Sequence, residues 1–143
     1  MNQPLIVREE RRRVLLAEQH VSNHGEMLNR LSSMFTLQCA PTAIAVLVHL
    51  QQEQPDLLIV SAAIPNAHAF PEGETADGSK TVILLIKEIR RKHPGLPVLV
   101  YNVEAGPPRG FKQDAKTFFF PLYPTTTRGL CERAAELARN GKN

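Results

Sequence analysis

The chain alternates short, wholly apolar runs with longer segments whose apolar residues recur every three or four positions. Val14–Ala17, Leu57–Val60 and Val98–Tyr101 are runs of the first kind. Leu57–Val60 is apolar on both faces, and such a strand belongs inside a parallel sheet covered by helices on both sides. Thr36–Ala40 and the aromatic Thr117–Phe120 add two shorter strands. Of the periodic segments, the first places Met27, Leu28, Leu31, Met34 and Phe35 on one helical face. Pro41 suits the first turn of a second helix, through Ala43, Leu47 and Leu50 to about Gln52. A third starts at about Lys80, ends in the basic run Lys87–Lys92 where cations favour the helix dipole, and stops at Pro94–Gly95. The last covers Thr125–Arg139, with Leu130, Ala134 and Leu137 on its apolar face.

Two stretches carry no periodicity. Asn66–Ser79 is small and polar, holds Pro71, Gly73 and Gly78, and reads as a long loop. Residues 103–114 include Gly106, Pro107, Pro108 and Gly110, which exclude a regular long helix. Five strands alternating with helices predict an α/β fold, a doubly wound five-stranded parallel sheet in a three-layer sandwich. Ligands of such sheets bind beyond the C-terminal strand ends. Residues 18–20, 61–65, 102–105 and 120–123 are therefore where function is expected.

Composition narrows the class. A chain of 143 residues, 43% hydrophobic and 22% charged, suits one ordinary domain without disulfides. We place it at 13–143, after a flexible basic segment 1–12. The apolar runs are far shorter than the ~20 residues of a membrane span, and no signal-like segment follows the N-terminal charges. Cys39 and Cys131 are too few for a disulfide framework or a zinc site, so a reduced, cytoplasmic setting is expected. The net charge of +3 sits at the two ends, Arg8, Arg11, Arg12 and Arg13 at one and Arg128, Arg133, Arg139 and Lys142 at the other. Without a basic stripe interleaved with stacking aromatics, nucleic acid is not expected as a partner.

The segment Pro55-Asp-Leu-Leu-Ile-Val-Ser-Ala-Ala-Ile-Pro65 is the most specific piece of the sequence. With Val14-Leu-Leu-Ala-Glu-Gln19, Ile86-Lys-Glu-Ile-Arg90, Leu96-Pro-Val-Leu-Val-Tyr-Asn102 and Pro121, in that order and spacing, it resembles the response-regulator receiver family. These are the CheY-like phosphoacceptor domains of two-component signalling, and the resemblance runs from about Arg13 to Arg139. It implies a flavodoxin-like sandwich in which the family's fourth helix is degraded to Gly106-Pro-Pro108 and its surroundings.

The resemblance also implies a pocket, and this chain departs from it at each position. The family's phosphoacceptor aspartate falls on Ser61, and its acidic Mg²⁺-binding pair falls on Glu18 and Gln19. The switch hydroxyl falls on Asn102, and the Lys before the fifth-strand proline falls on Phe120, ahead of Pro121. A lone Glu18 beside neutral amides is a poor site for a hard dication, and Ser61 has no His or Lys beside it in sequence to activate it. No cofactor, metal or catalytic residue is therefore expected. The implied protein is a stand-alone pseudo-receiver, not an enzyme, working by contact with another signalling protein; its length leaves no room for an output module. A homodimer is left open, and a membrane is not expected. The alternative is a small-molecule sensor using the strand-end crevice under the 66–79 loop, although no Gly-rich phosphate loop follows the first strand.

Other residues carry weaker signals. His20 and His24 are four apart, which on a helix gives one face, but no third metal ligand is near in sequence. His68 and His93 sit in ordinary loop and helix-end places. Glu72, Glu74 and Asp77 match no calcium loop and read as solvated. Phe118–Phe120 are expected to pack the core and fill the old pocket, and Cys131 to be a small hydrophobe on the last helix. For the partner surface the candidates are Arg128, Arg133 and Arg139, with the rebuilt 103–116 segment.

Overall fold

The computed structural model describes residues 11–71, 79–102, 106–122 and 127–140. Five strands, β1 (Arg13–Ala17), β2 (Thr36–Ala40), β3 (Leu57–Ser61), β4 (Val98–Asn102) and β5 (Thr117–Pro121), form one sheet in the order β2-β1-β3-β4-β5. Every neighbouring pair is parallel. The helices are α1 (Gly25–Met34), α2 (Ala43–Gln52), α3 (Ser79–Lys92) and α4 (Thr127–Asn140). This is the doubly wound order of flavodoxin-like sheets, as the strand–helix alternation predicts. Among the described residues no helix is long and apolar enough to cross a membrane. The N-terminal segment 1–10, the acidic Glu72, Glu74 and Asp77, residues 103–105 and the stretch 123–126 lie outside the described residues.

Side-chain alternation along each strand divides the core in two. Leu15, Leu58, Val60, Val98 and Val100 face α2 and α3, meeting Val46, Leu50, Val82, Leu85 and Ile89. Val14, Leu16, Ile59, Leu99 and Tyr101 face α1 and α4, meeting Met27, Leu31, Leu130, Ala134 and Leu137. Cys131 is buried in this second layer, and burial raises its thiol pKa. β2 and β5 are the edge strands, and β2 is largely exposed.

Polar contacts fix the ends of these elements. Asp56 joins the starts of β1 and β3, its carboxylate accepting from Arg13 N–H at 2.8 Å while its own N–H donates to Arg13 O at 2.8 Å. Thr42 caps α2, its hydroxyl accepting from Ala45 N–H at 3.2 Å. The Arg90 guanidinium, read above only as part of a basic run, is a clasp at the opposite end of the sheet from the candidate crevice. It donates to Leu96 O and Lys116 O, each at 2.6 Å, and to Thr117 Oγ1 at 2.9 and 3.0 Å.

Residues 106–116 hold no helix. Gly110 has φ +88°, which favours glycine, and Phe111 drops onto the sheet, its ring 5.9 Å from that of Phe119. The polar loop after β3 opens with a tight turn at Asn66. Its side chain accepts from Phe70 N–H and donates to Phe70 O, both at 2.8 Å, around Ala67 and His68 at φ 49° and 68°.

Candidate functional site

The C-terminal strand ends bring together Glu18, Ser61, Tyr101, Asn102 and the Phe120–Pro121 pair. Ser61 and Tyr101 are register partners on β3 and β4, and Asn102 and Pro121 are register partners on β4 and β5. Glu18 is 6% exposed and Ser61 8%. Gln19, next to Glu18 in sequence, is exposed on the following turn.

A buried carboxylate is tolerated only when donors surround it. Glu18 has such donors: the Tyr101 hydroxyl donates to Oε1 in a short hydrogen bond, and His20 N–H donates to Oε2 at 2.9 Å. His24 Nε2 stands 3.5 Å from Oε1, and its ring meets the Tyr101 ring edge-on with centroids 6.4 Å apart. Burial, and then the Glu18 carboxylate, push the Tyr101 phenol far above its usual range, while a hydrogen bond from Ser61 pulls weakly the other way. The phenol is therefore neutral, a donor to Glu18 and not a base for Ser61.

The remaining positions are also engaged. Ser61 Oγ accepts from Ala63 N–H at 3.1 Å, the local turn expected of a serine that closes a strand. Asn102 Nδ2 donates to Gly106 O at 3.1 Å. Phe120 packs with Tyr101 and Phe118 on the α1–α4 side of the sheet, whereas Phe119 packs on the other. Among the described residues no buried side-chain polar atom lacks a hydrogen-bond partner.

Sequence reasoning located Glu18 and Ser61 but missed Tyr101 and His24 as part of the same cluster. The Tyr101–Glu18 contact joins positions 83 residues apart. His20 and His24 do not share a helical face. A 3₁₀ turn at Val21–Asn23 separates them, His20 is exposed, and His24 precedes α1 with its ring turned toward Glu18. The interface candidates divide as well. Arg128 pairs with Glu132 at 3.4 Å, Arg133 pairs with Glu136 and lies 5.0 Å over the Phe118 ring, and Arg139 is exposed.

The residues present do not fit the divalent cation of receiver chemistry. Mg²⁺ demands several oxygen ligands in near-octahedral array. Glu18, the one carboxylate among the described residues at these strand ends, already accepts an O–H and an N–H, and no group of three or more potential ligands occurs among the described residues.

No family model and no curated protein matches the chain. Solved structures do match. A CheY-like response regulator receiver domain protein from Methanospirillum hungatei JF-1 superposes with a TM-score of 0.71 at 16% identity, over 93% of this chain and 98% of that one. The signal receiver domain of an HD domain-containing protein from Pseudomonas fluorescens Pf-5 gives 0.68 at 16% identity, over 98% and 96%. An orphan response regulator of Helicobacter pylori gives 0.63 at 19% identity, over 89% and 96%. The chain has the CheY-like receiver fold.

Proposed function

We propose that this protein is a receiver-like signalling module that does not undergo aspartyl phosphorylation and acts by binding another protein. The observation that carries the reading is the state of Glu18. In a working receiver the strand-end acids hold Mg²⁺ beside an aspartate nucleophile; here Ser61 takes the aspartate's place, and both oxygens of Glu18 face protein donors. Phosphoryl transfer onto Ser61 needs a base to take its proton. Its hydrogen-bonded neighbour, the neutral Tyr101 phenol, is no such base. With catalysis and ion binding removed, the fold's surfaces are what remains for signalling.

The experiment is incubation of the full chain with acetyl phosphate and Mg²⁺, followed by intact mass spectrometry. The reading expects no phosphoryl adduct at any time point. A stoichiometric adduct labile to hydroxylamine, the mark of an acyl phosphate, contradicts it.

A further inference from the structure

We propose that the trough between α3 and residues 106–116 is the docking site for an acidic, amphipathic segment of a partner protein, which rests on the protein-binding reading above. The trough follows from the missing helix. Pro107, Pro108 and the left-handed Gly110 keep the chain irregular, and Phe111 is the large side chain it lays on the sheet. Ile83 and Ile86 of α3, partly buried against the core, are left as the apolar floor of a depression of about 440 Å³. Lys87, Arg90, Gly110, Lys112 and Asp114 form the rest of its lining.

The charges on that lining are unbalanced. On the neighbouring face of α3, Glu88 pairs with both Arg91 and Lys92, at 2.9 and 3.3 Å. Lys87 and Lys112 are exposed, and neither makes an ion pair with any described acid. The one acid of the trough, Asp114, is already engaged. Burial is the largest single influence and raises its pKa, but the bond from Lys116 N–H at 2.8 Å, contacts with Thr117 and the nearby Arg90 charge together hold it below the usual carboxylate range. An apolar floor between unpaired lysines is complementary to a segment with leucine-like anchors and acidic flanks, the pattern of a helix or strand laid in a groove. The depression is intermediate between an enclosed cavity and a flat surface, whereas small-molecule pockets bury most of their ligand's surface.

The test is selection of displayed random peptides on the full chain. The enriched sequences are expected to combine acidic and large apolar residues. Their affinity should fall about tenfold or more in a Lys87→Glu/Lys112→Glu double variant and weaken as salt rises. Both lysines are exposed, so an unchanged Tm shows the variant is folded; Ile86→Gln is the second, uncharged probe and should also weaken binding. Enrichment of basic peptides, no enrichment, or acidic peptides indifferent to all three substitutions overturns the proposal. Failure to enrich any peptide together with binding to phosphatidylserine vesicles overturns it in favour of a membrane surface. Acidic peptides that bind elsewhere on the chain remove this site and leave the protein-binding reading intact. An acyl phosphate in the mass experiment removes that reading without bearing on where peptides dock.

Discussion

At the residue scale, the environment of Glu18 makes two claims that titration and mutation can check. The Tyr101 phenol is held neutral by burial and by the Glu18 carboxylate, so its folded pKa lies above its unfolded value near ~10. The stability linked to the neutral phenol is therefore complete below that pH and is lost as pH rises past it toward the folded pKa. The chain has two tyrosines. In a titration followed by absorbance at 295 nm, Tyr101 is expected to ionise only with cooperative alkaline unfolding, and Tyr101→Phe should remove that late component. The same substitution strips Glu18 of its hydroxyl donor and should lower unfolding free energy by about 2 kcal/mol in urea melts. Arg90 supplies a second case. Arg90→Ala leaves Leu96 O and Thr117 Oγ1 without the guanidinium donor and Lys116 O with Val98 N–H alone, and a loss of about 2–3 kcal/mol is expected. A loss under 0.5 kcal/mol contradicts the clasp. Neither role was legible in the sequence. Arg90 stands among cations that favour any helix C-terminus, and the partners of Glu18 come from another strand and from beyond a 3₁₀ turn.

At the scale of elements, local rules carried most of the reading. β1, β3 and β4 are covered on both faces, so their apolar runs are nearly continuous and their edges are sharp in the sequence. β2 is harder to see from burial, because an edge strand with Gln38 and Cys39 exposed has little apolar pattern. The helix termini follow their residues: the loss of the Thr42 hydroxyl in Thr42→Ala should cost about 1 kcal/mol, while Thr42→Ser keeps the acceptor and costs much less. The turn at Asn66 holds two non-glycine residues in the left-handed region, each under strain of about 1 kcal/mol. Ala67→Gly is expected to hold or slightly raise Tm, whereas Ala67→Val lowers it by several degrees. The His20–His24 pair shows where periodicity misleads. A spacing of four gives one face only inside an α-helix, and the chain adopts a 3₁₀ turn there before α1 begins at Gly25.

For the whole molecule, topology was legible because five strand signals alternate with four helix signals, and parallel strands need crossovers. The receiver fold is reproduced at 16–19% identity to the solved structures cited. A parallel core needs apolar strands and amphipathic helices but leaves most other positions free, so the scaffold outlasts the resemblance of its site. The trough beside α3 was not legible. It exists because residues 106–116 hold no helix and Phe111 drops back onto the sheet. The proposed function requires that the strand-end pocket bind neither Mg²⁺ nor a phosphoryl group. The most direct test is a titration of the ¹⁵N-labelled full chain with Mg²⁺ and then beryllofluoride, followed by amide chemical shifts. The account predicts no saturable shifts at Glu18, Gln19, Ser61 or Asn102 at millimolar Mg²⁺, with or without beryllofluoride. Saturable shifts converging on Glu18 and Ser61 would contradict it.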